Sequence, residues 1–380
     1  MNKLTTLAAT IVATIGALTS CNASDKANGT GELSLKEAVG DRFLVGVALN
    51  SRQIIGEDSA GIDVVKQHFN SIVAENCMKN ESIHPYQNVY NFGCADSLVT
   101  FGEENGMAVI GHCLVWHSQL AKWFLYDEKG DTVCADTLKA RMKDHIYTVV
   151  GRYKGKIHGW DVVNEAFLED GSYRKSPFYN ILGEEYIPLA FQWAHEADPN
   201  AELYYNDYGM DGEKKREAVV KLVRSLKERG LRIDAVGMQS HVGMDYPDLK
   251  EYEKSMLAFA AEDVNVMVTE WEMSALPTIH RSANISDLAN YSDKFNPYPT
   301  GLPEEVSEAW NKRMDEFFQL YLKHSDIITR VTAWGVSDGD SWKNDYPMKG
   351  RIDYPLLFDR DHAPKQFIKD FCSKANTSKE

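Results

Sequence analysis

Short strand-like segments alternate with helical patterns along most of the chain, and this alternation constrains the fold more than any other feature. The strand-like segments are rich in β-branched residues and have no helical period. They cover residues 43–48, 71–74, 108–114, 157–164, 202–206, 235–240, 265–269 and 329–334. Eight strands alternating with helices in 380 residues predict an α/β protein with a single (β/α)8 barrel domain.

The helical patterns between these segments each place apolar residues on one stripe. Residues 212–229 carry Val219, Leu222, Val223 and Leu226 on such a stripe. Residues 304–322 carry Met314, Phe317, Phe318 and Tyr321 in the same way. A doubly wound open sheet is the alternative architecture. It is disfavoured because no Gly-x-Gly-x-x-Gly sequence follows an early strand.

Two of the predicted strands end in a glutamate. Glu165 follows the apolar segment 157–164, and Glu270 follows the segment 264–269. A carboxylate at the tip of a buried strand is costly unless it is paired or used. The C-terminal ends of barrel strands meet at one face, which is where barrel active sites lie. Because glycosidic bond cleavage requires two facing carboxylates, the pair Glu165 and Glu270 suggests a glycosidase.

The net charge of −15 restricts the partners of the chain. Nucleic acids and anionic membranes both require a basic face, so neither is an expected partner. A neutral polymer is compatible with this charge, although the acidity could also serve solubility alone.

The N-terminal residues resemble an export signal. Lys3 gives a positive start, residues 7–18 form an apolar run too short for a membrane span, and the sequence Leu-Thr-Ser before Cys21 resembles a bacterial lipobox. These features predict a signal peptide over residues 1–20, a lipid anchor on Cys21, a small polar tether over 21–31 and a catalytic domain over 32–380. The protein is then an exported outer-membrane or cell-surface lipoprotein that contacts the membrane only through its anchor. An ordinary signal, giving a secreted or periplasmic protein, is the alternative.

The lipobox predicts the effect of Cys21→Ala. The variant is expected to leave the membrane fraction with unchanged specific activity, because the tether lies outside the barrel. Cell fractionation with an activity assay checks this, and an unchanged membrane fraction excludes Cys21 as the anchor.

The other cysteines are Cys77, Cys94, Cys113, Cys134 and Cys372. Their odd number and irregular spacing match neither a disulfide framework nor a zinc site. Cys77 and Cys113 lie in or beside predicted strands and are expected to be buried small hydrophobic residues.

Polar and aromatic residues collect where the predicted strands end. In chain order they form the motifs Glu-Asn-x-Met-Lys, Trp-His-Ser-Gln, Trp-Asp-Val-Val-Asn-Glu, Tyr-Asn-Asp-Tyr, Gln-Ser-His and Trp-Gly-x-x-Asp-x-x-Ser-Trp. Each motif alone is weak, but together and in this order the set resembles glycoside hydrolase family 10, the endo-β-1,4-xylanases. The resemblance runs from about residue 43 to residue 371.

The resemblance implies roles for these residues. Glu165 is similar to the acid/base and Glu270 to the nucleophile of a retaining enzyme, with His241, Glu272 and Gln239 as their supporting residues. The substrate-binding residues implied in the same way are Glu75, Asn76, Lys79, His112, Trp116, Gln119, Asn164, Tyr208, Trp334 and Trp342. Asn164 is similar to the residue that binds the sugar 2-hydroxyl, and the three tryptophans offer flat faces on which sugar rings pack.

Strand alternation constrains the geometry of these residues. Asn164 and Glu165 can both face the barrel axis only if the strand tip bends or bulges. On the other strand, Glu270 and Glu272 lie on one face and Trp271 on the opposite face. The family usually has Leu-Asp where this chain has Trp271 and Glu272, so the longer side chain must adjust to reach His241.

The predicted function is retaining endo-hydrolysis of β-1,4-xylosidic linkages in xylan or xylo-oligosaccharides by a monomer that needs no cofactor. A β-1,4-glucanase and a non-catalytic glycan-binding lipoprotein are the alternatives. Metal catalysis through His112 and His241 is disfavoured, because neither lies in a His-Glu-x-x-His motif. The long segment 273–303 follows the seventh strand and is expected to form a wall of the substrate cleft.

Overall fold

Nine parallel strands form the central sheet of the computed structural model, which describes residues 33–277 and 296–377. The strands are β1 (Leu44–Leu49), β2 (Ser71–Ala74), β3 (Ala108–Val115), β4 (Gly159–Asn164), β5 (Glu202–Asp207), β6 (Ala235–Met238), β7 (His241–Gly243), β8 (Asn265–Ser274) and β9 (Ile328–Ala333). All except β7 pair in chain order, and β9 returns to β1 and closes a barrel. The predicted (β/α)8 fold is confirmed.

Helices surround the barrel. They are α1 (Leu35–Val39), α2 (Ser51–Ile54), α3 (Ser59–His68), α4 (Asn80–Ile83), α5 (Gly93–Glu104), α6 (Lys122–Leu125), α7 (Ala135–Arg152), α8 (Pro177–Leu182), α9 (Tyr186–Ala197), α10 (Glu213–Glu228), α11 (Leu249–Ala260), α12 (Glu304–Lys323) and α13 (Gln366–Thr377). Short 3-10 turns cover Gly40–Arg42 and Gly183–Glu185. The predicted apolar stripes of α10 and α12 are buried. None of the helices in the described ranges is long and apolar enough to cross a bilayer.

Side chains fill the barrel interior, as in other barrels of this kind. They form a cluster separate from the larger core between strands and helices, made of Ala48, Val73, Ile110, Tyr204, Ala235, Met267 and Trp334. Gly159 is required inside this barrel, because a Cβ there would lie 2.1 Å from the Tyr204 hydroxyl. The interior is therefore closed by packing, and a ligand can enter only at an end of the barrel.

Strand β7 is a short extension that lies beyond the end of β6. Gln239 and Ser240 interrupt the two strands, and Ser240 has a φ of 64° in the left-handed region. Beyond this break β7 pairs with the outer end of β8, so that His241 lies opposite Glu272. The break thus places His241 beside the end of the strand that carries Glu270.

Some sequence predictions fall outside the described residues. The signal peptide, the tether and Cys21 all lie there. Of the segment 273–303, Met273 and Ser274 end β8, and residues 278–295 lie outside the described ranges. Ser274 and Pro277 line the cleft described below.

Two buried histidines predict how stability depends on pH. The Nδ1 atoms of His84 and His145 lie 3.2 Å apart. Burial lowers the pKa of His84 to about 4 and that of His145 to about 3. Below a pH of about 6.5 these two histidines bind protons in the unfolded chain but stay neutral in the folded chain. The free energy of unfolding therefore falls as the pH drops from 6.5 through 4. For His145 the loss is about 1.4 kcal/mol per pH unit.

Thermal unfolding of the wild type and of His145→Gln at pH 7 and pH 5 checks this. The midpoint of the wild type is expected to drop more between the two pH values than that of the variant. An equal drop in the two proteins would show that His145 does not contribute to the acid sensitivity.

Candidate active site

A cleft of about 1110 Å³ opens at the C-terminal ends of the barrel strands. Its walls contain every catalytic, supporting and substrate-binding residue predicted from the sequence except Glu272. These residues are Glu75, Asn76, Lys79, His112, Trp116, Gln119, Asn164, Glu165, Tyr208, Gln239, His241, Glu270, Trp334 and Trp342. Glu272 is fully buried beneath the cleft surface.

The tip of β4 is irregular, and this brings two successive side chains into the cleft. The pairing register of β4 with β5 shifts between Asp161 and Val163. Glu165 then has a φ of 58°, a strained conformation for this residue type. Asn164 and Glu165 consequently both line the cleft. Because side chains alternate along a regular strand, this arrangement requires the irregular strand tip.

A chain of side-chain amides connects the two strand-end glutamates. The Asn164 carbonyl oxygen accepts hydrogen bonds from Asn206 Nδ2 at 3.1 Å and from Gln239 Nε2 at 3.2 Å. The second N–H of Gln239 donates to Glu165 Oε1 at 3.1 Å, and that of Asn206 donates to Glu270 Oε1 at 2.9 Å. Both N–H groups of Gln239 and both of Asn206 are therefore used, and the orientations of the two carboxylates are fixed relative to each other.

Asn206 was not among the residues predicted for the site. It lies in the Tyr-Asn-Asp-Tyr motif at the end of β5, and this position was the available signal. The Thr269 hydroxyl donates to Asn206 Oδ1 at 2.6 Å, which leaves the Asn206 amino group directed at Glu270.

Glu165 is held through its second oxygen and its main chain. Trp116 Nε1 donates to Glu165 Oε2 at 2.9 Å, so this tryptophan orients a carboxylate besides offering a flat face. Arg174 Nε donates to the Glu165 carbonyl oxygen at 3.0 Å, and Arg174 Nη2 donates to the Tyr208 hydroxyl at 2.6 Å. Arg174 was missed by the sequence analysis because it lies in the loop after β4, away from any strand end.

Glu270 is held by a histidine between two carboxylates. His241 Nε2 lies 3.0 Å from Glu270 Oε2, and His241 Nδ1 lies 2.6 Å from Glu272 Oε1. Burial by itself lowers the pKa of His241, but Glu272 and Glu270 more than offset it and raise the pKa to about 9. His241 is therefore a cation at neutral pH and donates to both carboxylates.

Glu272 reaches His241 despite its extra methylene, and the same carboxylate oxygen also faces two further donors. Trp342 Nε1 donates to Glu272 Oε1 at 2.9 Å, and Lys343 Nζ lies 3.3 Å from it. Burial raises the pKa of Glu272, but Lys343 and His241 outweigh that effect and hold the pKa below its ordinary value. Lys343 directly follows the last motif, and its ammonium group lies beside this buried carboxylate.

This contact predicts the effect of Glu272→Asp. The shorter carboxylate is expected to lose its contact with His241, and kcat should fall roughly tenfold to a hundredfold, about 1.4–2.7 kcal/mol. Steady-state kinetics as a function of pH measure the change. Adding Lys343→Arg supplies a longer base that can reach the shorter carboxylate and should recover part of the loss. A single variant that equals the wild type in kcat and in pH profile would show that Glu272 does not position His241.

One wall of the cleft consists of polar side chains that are hydrogen-bonded to one another. Lys79 Nζ donates to Gln119 Oε1 at 2.8 Å and to Asn76 Oδ1 at 3.1 Å, and Gln119 Nε2 donates to Asn76 Oδ1 at 3.2 Å. Lys79 also lies over the Trp116 ring, 4.8 Å from its centroid. Burial raises the pKa of Glu75, an effect that Lys79 partly offsets. Such a wall presents fixed donors and acceptors suited to hydroxyl groups.

The remaining predicted residues form the floor and one side of the cleft. His112 pairs with Asp161 through Nδ1 and Oδ2 at 2.8 Å, and both residues are buried. Trp334 packs edge-on against His112 with a centroid distance of 5.3 Å, and Trp342 packs edge-on against His241 at 5.9 Å. Trp342 therefore lies beside the histidine that holds Glu270, and Trp334 lies beside the buried pair of His112 and Asp161.

A parallel eight-stranded barrel with two cleft glutamates, joined by hydrogen-bonded amides and bordered by tryptophans, defines the (β/α)8 class of glycoside hydrolases. The chain belongs to glycosyl hydrolase family 10, whose family model matches residues 34–373.

Known proteins of this family are similar to the chain over most of its length. Endo-1,4-beta-xylanase A of Xylanibacter ruminicola is 50% identical over 89% of this chain and 92% of its own. Beta-1,4-xylanase of Dictyoglomus thermophilum is 41% identical over 90% of this chain and 91% of its own. The structure of a GH10 endoxylanase from a sugarcane soil metagenome has a TM-score of 0.85 at 41% identity, covering 90% of this chain and 99% of that one.

Proposed function

We propose that this chain is a retaining endo-β-1,4-xylanase in which Glu270 is the nucleophile and Glu165 the acid/base. The observation that carries this proposal is the amide chain from Glu165 through Gln239, Asn164 and Asn206 to Glu270. It holds two carboxylates in one cleft, as double displacement requires. The similarity to proteins named xylanases supports xylan as the substrate.

The first step forms a covalent intermediate. A Glu270 oxygen attacks the anomeric carbon while Glu165 donates a proton to the leaving glycosidic oxygen. The bond from the anomeric carbon to the leaving oxygen breaks, and its electron pair stays with that oxygen. The cationic His241 and the Asn206 amide both donate to Glu270 and hold its carboxylate in position for the attack.

The second step releases the sugar. Glu165, now a carboxylate, takes a proton from water, and the water oxygen attacks the anomeric carbon from the face left by the first product. The bond to Glu270 breaks and its carboxylate is restored. Two inversions at the same carbon give net retention of configuration.

The assay that tests this function compares xylan with carboxymethylcellulose. Reducing-sugar release is expected from xylan. From carboxymethylcellulose its rate is expected to be at least about a hundredfold lower. The hydrogen-bonded wall of Asn76, Lys79 and Gln119 favours xylose units, because its side chains are held in place and do not move aside for the hydroxymethyl group of a glucose unit. Comparable rates would indicate a β-1,4-glucanase. Binding of xylan without release of sugar would indicate the non-catalytic glycan-binding protein.

We also propose export with Cys21 as the lipidated residue. This rests on the N-terminal sequence alone, and the fractionation of Cys21→Ala described above tests it.

A further inference from the structure

The main chain that carries Glu165 is held by two side chains of the neighbouring strand β5. Glu165 has a φ of 58°, and a strained conformation of this kind persists only where the surroundings fix it. The N–H of the next residue, Ala166, donates to the Tyr205 hydroxyl at 3.1 Å. The N–H of Phe167 donates to Asp207 Oδ2 at 3.4 Å. The strained residue is therefore followed directly by two anchored peptide groups.

Tyr205 and Asp207 belong to a buried group that lies behind the cleft wall. Because the Tyr205 oxygen accepts from Ala166, its O–H donates to Asp207 Oδ2, at 2.5 Å. Lys215 Nζ, from the first turn of α10, lies 2.7 Å from Asp207 Oδ1. Tyr205, Asp207 and Lys215 are fully buried, and none of the three lines the cleft. A buried ion pair contributes little net stability, so its presence beside this main chain requires another explanation.

We propose that Tyr205 and Asp207 are positioning residues that hold Glu165 in the orientation required for proton transfer, with Lys215 as the counter-ion of Asp207. This inference rests on the proposed acid/base role of Glu165. Burial raises the pKa of Asp207, and Lys215 opposes that rise, which favours a carboxylate that accepts from both Tyr205 and Phe167. A small displacement of a catalytic group is enough to slow a reaction considerably.

The leaving group separates positioning from a purely structural role. The glycosidic oxygen of xylan needs a proton from Glu165 in the first step, whereas a good aryl leaving group needs little acid help. Misplacement of Glu165 therefore slows the first step on xylan more than on an aryl xylobioside. General loosening of the barrel would slow both substrates alike, because the nucleophile and the sugar contacts would suffer as well.

The variant Tyr205→Phe removes the hydroxyl that joins Ala166 to Asp207 and keeps the ring. Its kcat on xylan is expected to fall about tenfold with KM within about twofold of the wild type. The first-step rate on an aryl xylobioside, measured by rapid quench, is expected to fall no more than about twofold. Equal losses on the two substrates, or wild-type rates on both, would overturn the proposal.

Tyr204→Phe is the matched control from the same strand. The Tyr204 hydroxyl is also buried, but it donates to Glu202 Oε2 at 2.7 Å, at the end of β5 remote from the cleft. This variant should keep the wild-type ratio of the two rates, and thermal unfolding of both variants reports what each lost hydroxyl does to stability. The same split in Tyr204→Phe would show that the effect is not specific to Tyr205 and would contradict the proposal.

A double variant tests Asp207 without leaving a buried charge unpaired. Asp207→Asn combined with Lys215→Met removes both charges at once and is expected to show the same split as Tyr205→Phe. A wild-type ratio of the two rates would exclude Asp207 as a positioning residue. If the double variant does not fold, Tyr205→Phe alone decides the proposal.

Glu165→Ala, measured on the same two substrates, separates this proposal from the proposed function. A split in Glu165→Ala without one in Tyr205→Phe would overturn only the positioning role. Equal losses on the two substrates in Glu165→Ala would overturn the acid/base assignment, and the positioning role with it.

Discussion

Replacement of Glu270 by alanine is expected to lower kcat on xylan and on aryl xylosides to below about one hundredth of the wild-type value, because no covalent intermediate can form. Azide fits the space left by the side chain and attacks the anomeric carbon directly. The expected product is a glycosyl azide of inverted configuration, which NMR identifies.

A matched variant separates chemistry from structure. Glu270→Gln keeps the size of the side chain and one acceptor oxygen, which can serve either Asn206 or His241, but it removes the nucleophile. It should lose the same activity and resist azide, because its side chain still fills the site. If Glu270→Ala keeps more than about a hundredth of the wild-type rate while folding normally, Glu270 is not the nucleophile.

Replacement of Glu165 by alanine should have an effect that depends on the leaving group. Xylan has a poor leaving group and needs the proton, so its hydrolysis should fall at least about a hundredfold. An aryl xylobioside with a good leaving group should still complete the first step. The expected trace is a burst of aryl alcohol followed by slow turnover, because no base then activates water.

Azide distinguishes this variant from the nucleophile variant. In Glu165→Ala azide replaces water in the second step and should give a glycosyl azide of retained configuration, opposite to the product of Glu270→Ala. Equal losses on xylan and on the aryl substrate would contradict an acid/base role for Glu165. Rapid-quench and steady-state kinetics on both substrates make the comparison.

The barrel could be predicted from local sequence because the spacing of apolar residues follows which side chains are buried. The eight segments identified by β-branched, non-helical composition contain or overlap the strands of the closed barrel. The stripes of α10 and α12 are buried where the helical period places them. Strand parity also required an irregular tip of β4 and placed Trp271 on the outer face, where its ring stacks on Phe318.

The site was predictable to the extent that its residues occupy strand ends. The carboxyl ends of parallel strands meet at one face, so position along the chain was enough to place Glu165 and Glu270 in one cleft. Residues that act on the site only by holding another side chain or main-chain group could not be identified in this way. Asn206, Arg174 and Lys343 are of this kind, because each one acts through a side-chain contact that no motif shows.

The amino-acid sequence by itself determined the barrel, the family and the two glutamates, since these depend on patterns repeated along one chain. Only the tertiary structure decided how Glu272 reaches His241 and how Asn206 reaches Glu270. Those outcomes depend on distances between side chains carried by different elements. Such distances are set by packing over the whole barrel, and no local pattern of residues encodes them.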